Sequence, residues 1–137
     1  MKNIKAIIFD VYGTLLDVYS VQKLLEKIFP NKGKKISILW RDKQIEYTRL
    51  IAMSKKEIHY KSFWEITVDA LDFSLEKLKV ECNEKNRKKI LNTYLNLDVF
   101  PESFEVLKNL KKKELKLAVL SNGNYEMVST ALKNSKI

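Results

Sequence analysis

The chain has 137 residues, of which 45% are hydrophobic and 10% aromatic, a composition that excludes wholesale disorder and allows one buried core. Its single cysteine, Cys82, excludes an intramolecular disulfide, and its single histidine, His59, excludes histidine-rich zinc clusters and most Ser-His or Cys-His catalysis. The net charge of +9 is compatible with nucleic acid, anionic membranes or small anionic substrates. Chemistry is therefore expected from carboxylates, cations, hydroxyls and backbone amides.

The apolar segments of the sequence are short. None approaches the roughly 20 residues that span a bilayer, and no signal-peptide cleavage site is visible. We therefore expect a cytoplasmic protein without membrane contact. The lysines cluster at helix ends or on polar helix faces, which favours solvated surfaces over a nucleic-acid site. Steep salt dependence of DNA binding would support that alternative.

The predicted elements begin with a buried, parallel-type strand at residues 5–10, ended by a turn at Gly13. Four helices follow, with Ser20 as the candidate cap of the first. Pro101 favours the start of another helix, which leads into a second buried strand. Asn124 is the candidate cap of a last helix. The helices are predicted over residues 20–29, 35–55, 62–79, 83–97, 102–113 and from 124 onward, and the second strand over 115–120.

This order of elements predicts an α/β fold. It is the start of a doubly wound, parallel, Rossmann-like sheet with an inserted helical-bundle cap domain. Residues 1–17 and 98–137 would form the partial core, and residues 18–97 the cap domain. Because two strands are fewer than a stable sheet normally has, the core is expected to be truncated and the chain marginally stable.

Polar residues follow both predicted core strands. Asp10 ends the first strand, and Ser121, Asn122 and Gly123 follow the second. Open parallel sheets bind ligands beyond the carboxyl ends of their strands, so these residues are expected to meet in one site. For an isolated aspartate, capping of the following turn is the simpler alternative.

Four segments resemble the haloacid dehalogenase superfamily. FDVYGTLLD at residues 9–17 is similar to its first motif, whose leading aspartate, here Asp10, is a covalent nucleophile. LSNG at residues 120–123 is similar to its second motif. LWRDKQIEYTRL at residues 39–50 and TVDAL at residues 67–71 resemble the cap of the type II 2-haloacid dehalogenases. The resemblance follows the family's order and covers essentially the whole chain.

Tyr12 separates two branches of that superfamily. Phosphatase members carry a second aspartate two residues after the nucleophile, which protonates the leaving oxygen. Tyr12 occupies that position here, and a phenol with a pKa near 10 does not serve as that acid at neutral pH. The residue favours cleavage of a carbon–halogen bond, and the resemblance implies no magnesium and no other cofactor. A magnesium phosphatase on the same fold is the alternative.

The resemblance implies hydrolysis of a short 2-haloalkanoic acid. Ionised Asp10 would attack the α-carbon from behind, expel halide and become an ester. Water would then release the 2-hydroxy acid with inverted configuration. Of the remaining motif residues, Thr14 would hydrogen-bond the nucleophile region, Ser121 would hold the substrate carboxylate, and Asn122 would share the halide.

Arg41 is the expected halide-binding cation. On the predicted second helix, Ile38, Arg41 and Ile45 are spaced to share one face, which places the cation on an apolar stripe and demands an anionic partner. A carboxylate of the same cap is the plainer partner, and the resemblance favours halide instead. Tyr12, Ile45 and Phe63 would line the alkyl pocket, or be ordinary core if the resemblance misleads.

Two further family motifs are expected beyond Ile137: a lysine that pairs with the nucleophile, and a serine-asparagine-aspartate segment. Lys133 and Lys136 lie in the predicted last helix and are not expected to replace that lysine. The sequence therefore predicts the N-terminal portion of the family, as a fragment, a partial gene or a decayed copy. A non-catalytic interaction module is the alternative to a hydrolase. The resemblance also suggests a homodimer formed through the cap.

Overall fold

The computed structural model describes residues 4–54 and 60–137. Within these ranges the chain forms a parallel pair of strands, a short antiparallel ribbon and six α-helices. None of these helices is long and apolar enough to cross a membrane. The elements are β1 (Ala6–Phe9), β2 (Leu16–Asp17), α1 (Gln22–Ile28), α2 (Gly33–Met53), α3 (Phe63–Lys77), α4 (Glu84–Asn92), β3 (Asp98–Val99), α5 (Ser103–Lys112), β4 (Lys116–Val119) and α6 (Tyr125–Ser135).

The strands β1 and β4 pair in parallel, with Phe9 opposite Val119. The Leu120 amide extends the pairing by donating to the Phe9 carbonyl at 2.9 Å. Their carboxyl ends therefore meet at one edge, which places Asp10 beside the Ser121 turn. The predicted α/β class, a parallel sheet with an inserted helical region, is confirmed.

The expectation that both strands are buried is wrong. Ile8 on β1 is 64% exposed, and Leu120 just after β4 is 74% exposed. A strand of a parallel sheet is buried when further strands and helices cover both of its faces. In the described residues the parallel sheet has two strands, so much of its apolar surface meets no covering layer.

A two-residue antiparallel ribbon joins the two ends of the helical region. Leu16 pairs with Val99 and Asp17 with Asp98, while the Phe100 amide donates to the Leu15 carbonyl at 3.1 Å. The sequence indicated a break near residue 98, yet such short strands show no periodicity from which to predict pairing. The ribbon brings the start and the end of the helical region side by side.

The helices α2 and α3 form the centre of the helical region. Trp40 of α2 is fully buried, lies 4.7 Å from the Tyr94 ring between centroids, and donates from Nε1 to the Thr67 carbonyl at 2.8 Å. Ile36 and Gln44 flank Trp40 on the same buried face of α2. This packing fixes the rotation of α2 and so decides which of its residues reach the sheet edge.

Several predicted helix boundaries need correction. Ser20 does not cap α1: Asp17 caps a 3-10 turn at Val18–Val21 by accepting from the Tyr19 amide, and the Ser20 hydroxyl donates to the Asp17 carbonyl. The fourth predicted helix ends earlier, with a 3-10 turn at Thr93–Leu95. Residue 55, the predicted end of the second helix, lies outside the described residues.

Candidate active site

A cleft of about 250 Å³ opens at the carboxyl ends of β1 and β4. The helix α2 and the start of α3 form its other side. Every residue that the sequence assigned to a site lines this cleft except Thr14. The lining residues are Asp10, Tyr12, Arg41, Ile45, Thr48, Arg49, Phe63, Ser121 and Asn122.

Asp10 lies exposed at the end of β1. The Thr14 hydroxyl faces its Oδ2 at 3.5 Å, a long hydrogen bond that contacts the carboxylate from outside the cleft. The intervening turn depends on Gly13, whose φ of 94° is a backbone conformation that side chains with a Cβ rarely adopt. This turn lets the chain reverse under Asp10 and leaves the carboxylate accessible.

Arg41 is partly buried and points its guanidinium toward the Asp10 turn. Nη2 donates to the Tyr12 carbonyl at 3.1 Å, and Nη1 donates to Gln44 Oε1 at 2.7 Å. No carboxylate of the described residues forms an ion pair with it, so the alternative of a cap carboxylate is not supported. A guanidinium has five N–H donors, and these two bonds leave others for an anion in the cleft.

Gln44 connects Arg41 to the core of the helical region. It is fully buried, donates from Nε2 to Thr67 Oγ1 at 2.6 Å, and accepts at Oε1 from the Tyr94 hydroxyl at 3.3 Å. The Thr67 hydroxyl in turn donates to the Phe63 carbonyl at 2.7 Å. Buried polar groups that are satisfied in this way hold their neighbours in one geometry, here the Arg41 guanidinium.

Tyr12 forms the apolar floor of the cleft. It is 4% exposed, and its ring centroid lies 5.6 Å from that of Phe63 and 6.2 Å from that of Tyr94. Its hydroxyl has no hydrogen-bond partner among residues 4–54 and 60–137. Burial, and to a lesser degree the neighbouring Tyr94 phenol, raise the pKa of Tyr12. The side chain is therefore a neutral phenol at neutral pH.

The Ser121–Gly123 turn closes the cleft beside Asp10. The Gly123 amide donates to Ser121 Oγ at 3.1 Å. A Cβ on Gly123 would lie 2.6 Å from Val128 Cγ2 and 2.9 Å from Tyr12 Cε2, so a larger residue fits only if both side chains move. The close approach holds the turn against Tyr12 and brings the Ser121 and Asn122 side chains to the cleft.

The prediction that Ile38 shares one face of α2 with Arg41 and Ile45 is wrong. Ile38 is 41% exposed, because the packed face of α2 follows Ile36, Trp40 and Gln44. Arg41 and Ile45 each follow one residue after that packed face and border the cleft instead. The spacing of apolar residues in α2 did not decide which face packs against the other helices. The contacts of Trp40 fix the face that includes Ile36 and Gln44 as the packed one.

Comparison with known proteins decides the family. A model described as haloacid dehalogenase-like hydrolase matches residues 4–136. The chain belongs to the haloacid dehalogenase-like hydrolase family. It is 42% identical to the haloacetate dehalogenase H-2 of Moraxella sp. (strain B) and 39% identical to the (S)-2-haloacid dehalogenase of Pseudomonas sp. (strain YL), covering 100% and 98% of this chain. It spans 60% and 57% of the length of those relatives.

Solved structures of the family superpose closely on this chain. An L-2-haloacid dehalogenase matches with a TM-score of 0.91 at 42% identity, over 97% of this chain and 59% of that one. The L-2-haloacid dehalogenase from Xanthobacter autotrophicus with chloropropionic acid covalently bound matches with a TM-score of 0.86 at 36% identity, over 98% and 53%. The family predicted from the motifs is confirmed.

Three residues at or beside the cleft were not identified from the sequence. Thr48 and Arg49 line the cleft, and Gln44 bonds to Arg41. All three lie on α2 at positions that bring them near Arg41 or Ile45 on a helix. This helical spacing from Arg41 and Ile45 could have pointed to the three residues, although it does not distinguish residues that line a cleft from residues that face solvent.

The titratable groups of the cleft in this family member are few. Among the described residues that line it, Asp10 is the only carboxylate, and Arg41 and Arg49 are the cations. No cluster of three or more histidine, cysteine or acidic side chains occurs in the described part of the chain. Neither Lys133 nor Lys136 lines the cleft.

Proposed function

We propose that this chain carries the nucleophile, halide and substrate-carboxylate sites of a hydrolase that removes halide from short 2-haloalkanoic acids. The observation that carries the proposal is the arrangement of Asp10, Tyr12 and Arg41 in one cleft. It combines a carboxylate, a partly unsatisfied guanidinium and a neutral phenol at the position where phosphatases need an acid. The names of the relatives, which are 2-haloacid and haloacetate dehalogenases, support the same substrate class.

The reaction needs no proton for its leaving group. An Asp10 carboxylate oxygen forms a bond to C2 of the acid while the carbon–halogen bond breaks and halide departs with the electron pair. Water then adds to the ester carbonyl, Asp10 is regenerated as a carboxylate, the 2-hydroxy acid leaves with C2 inverted, and one proton is released. An aspartate is already anionic near pH 7 because its reference pKa is about 3.9.

Each remaining residue has a role in this proposal. Arg41 and Asn122 bind the departing halide, where a fixed positive charge stabilises the transition state more than the ground state. Ser121 donates to the substrate carboxylate, and Thr14 orients Asp10 from outside. The alkyl part of the substrate contacts the apolar wall of the cleft, formed by Tyr12, Ile45 and Phe63.

The decisive experiment measures halide release from racemic 2-chloropropionate by this chain and by Asp10→Asn. We expect the unchanged chain to release halide from one enantiomer of the substrate and to leave the other unconsumed. The variant should release none, because an amide is a poor nucleophile. Mass spectrometry of rapidly quenched protein should show the propionate moiety attached to the peptide that contains Asp10.

The alternatives predict different results in the same assay. A folded chain that releases no halide and forms no adduct would favour a non-catalytic member of the family. Magnesium-dependent hydrolysis of a phosphate ester would favour a phosphatase. The homodimer formed through the cap remains part of the proposal, and size-exclusion chromatography with light scattering tests it directly.

A further inference from the structure

Arg49 places a second cation on the wall of the cleft. It lies on α2 two turns after Arg41, and the two guanidinium-bearing positions share the cleft-facing side with Ile45 and Thr48. At 1.5 Å of rise per residue, eight residues separate their Cα atoms by about 12 Å along the helix axis. The cleft therefore has a cation near Asp10, an apolar stretch at Ile45, and another cation beyond it.

Arg49 forms no ion pair with a carboxylate of the described residues. Glu46 lies one turn earlier, but its carboxylate pairs with Lys43 at 2.6 Å. On the adjoining helix α3, Asp69 pairs with Lys61 and Asp72 pairs with Arg87. Neither these pairs nor the other ion pairs of the described residues include Arg49.

We propose that Arg49 is a specificity-determining residue that binds a second carboxylate at the far end of the substrate. This inference rests on the proposed dehalogenation and predicts that 2-halodicarboxylic acids are preferred among its substrates. With the first carboxylate at Ser121 and the halogen at Arg41, the carbon chain would lie along Ile45. The distal carboxylate would then meet the Arg49 guanidinium, whereas the Thr48 hydroxyl already donates to the Gln44 carbonyl at 2.7 Å.

The binding of acids that carry no halogen measures the contribution of Arg49 to affinity separately from the dehalogenation reaction. Glutarate and valerate have equal chain lengths and differ by one terminal carboxylate. Their affinities for the full chain can be measured by NMR titration of the amide signals of Ser121 and Asn122. Because Arg49 is exposed, we expect glutarate to bind about two- to fivefold more tightly than valerate, the range of an exposed ion pair, and the preference to decline with added salt.

Two variants assign the preference to this side chain. Arg49→Gln should bind glutarate and valerate equally while keeping the affinity for valerate. Lys34→Gln removes an exposed cation at the other end of α2 and should keep the preference. Equal binding of the two acids by the unchanged chain, or a preference that survives in Arg49→Gln, would overturn the inference.

The outcome is separable from that of the proposed function. Halide release from 2-chloropropionate without a preference for glutarate would overturn the role of Arg49 alone. A preference that depends on Arg49 in a chain that releases no halide would overturn the dehalogenation alone, and would leave Arg49 as a carboxylate-binding residue of the cleft.

Discussion

Gln44 holds the halide-binding cation of the proposed site in place. It is a fully buried amide that receives hydrogen bonds from Arg41 and Tyr94 and donates to Thr67. The Gln44 amide does more than occupy volume in the core, because each of its hydrogen-bond partners loses a bond when the amide is removed. The arginine of the cleft is thus supported by a residue that never contacts the cleft.

Gln44→Met keeps the volume and removes the amide. We expect a loss of about 1–3 kcal/mol in the free energy of unfolding, the cost of leaving buried polar groups unpaired. We also expect weaker binding of chloride and of 2-haloacid analogues, since the Arg41 guanidinium loses one of its two anchors. Urea titration and NMR binding measure the two effects.

Ser74→Ala is a suitable control for that variant. It removes a buried hydroxyl whose one hydrogen bond in the described residues is donated to the Ala70 carbonyl within its own helix. A loss of stability in Ser74→Ala as large as that in Gln44→Met would contradict a special role for the amide.

Tyr12 and Tyr94 offer a matched pair of buried phenols. The Tyr12 hydroxyl has no hydrogen-bond partner in the part of the chain that the structure describes, whereas the Tyr94 hydroxyl donates to Gln44. Tyr12→Phe should therefore leave the free energy of unfolding unchanged or raise it, and Tyr94→Phe should lower it by about 1 kcal/mol. Equilibrium unfolding in urea measures both. If Tyr12→Phe were the more destabilising of the two, its hydroxyl would have a partner in solution.

At the scale of elements, the start of α3 is set by a capping box. The Glu65 amide donates to Ser62 Oγ at 3.2 Å, and the Ser62 amide donates to Glu65 Oε2 at 2.8 Å. The hydrogen bonds from Ser62 lower the pKa of the Glu65 carboxyl. Phe63, the first residue of α3, lines the cleft, so this cap also positions part of the site.

Ser62→Ala should destabilise the chain by about 0.5–2 kcal/mol, as measured for other helix caps. Because the pKa of Glu65 is lower in the folded chain than in the unfolded chain, ionised Glu65 stabilises the folded chain. This stabilisation is complete above the pKa of the unfolded chain and is lost as the pH falls through the pKa of the folded chain. The difference between Ser62→Ala and the unchanged chain should therefore shrink in acid. Unfolding in urea at neutral and acidic pH tests this, and a difference that does not depend on pH would count against the Glu65 contribution.

Much of the fold was predictable from local patterns, and the misses have physical causes. The α3 and α6 helices and both core strands follow from periodicity and from turn residues such as Asn124. The β2–β3 ribbon was missed because it is defined by contacts between residues far apart in the chain. The exposure of Ile8 was missed because an apolar strand looks alike whether or not other layers cover it.

The grouping of the candidate site residues in one cleft was predictable from the sequence, and the packing that supports them was not. Asp10, Ser121 and Asn122 follow strand ends, so topology alone brings them together. Gln44 depends on the rotation of α2, which Trp40 and Tyr94 fix through packing that no sequence spacing specifies. The division into a core of residues 1–17 and 98–137 and a cap of residues 18–97 stays a prediction.

At the scale of the whole molecule, the packed core is unevenly distributed. Most buried apolar residues belong to the helical region and to the turns that touch it, whereas Ile4, Ile8 and Leu120 around the parallel sheet are largely exposed. An apolar groove of about 390 Å³ borders the same sheet, between residues of α5 and α6. The sheet therefore contributes little burial to the stability of this chain.

We accordingly predict marginal stability for the 137-residue chain. Thermal unfolding followed by circular dichroism should be broad and begin near ambient temperature, and a dye specific for exposed apolar surface should bind before the transition. The loss of sheet signals should precede the loss of helix signals in hydrogen exchange, because exposed backbone opens first. A sharp, cooperative transition well above ambient temperature would contradict this prediction.

The β2–β3 ribbon has a consequence for protein engineering. Since Leu16 faces Val99 across one strand pair, the two ends of the helical region lie about 5 Å apart. A segment whose ends are that close can be exchanged for another of different length at little cost in loop-closure entropy. The ribbon is thus a suitable junction for building chimeric proteins. Helical regions of related proteins can be exchanged there, and each would bring its own cleft wall to the same sheet.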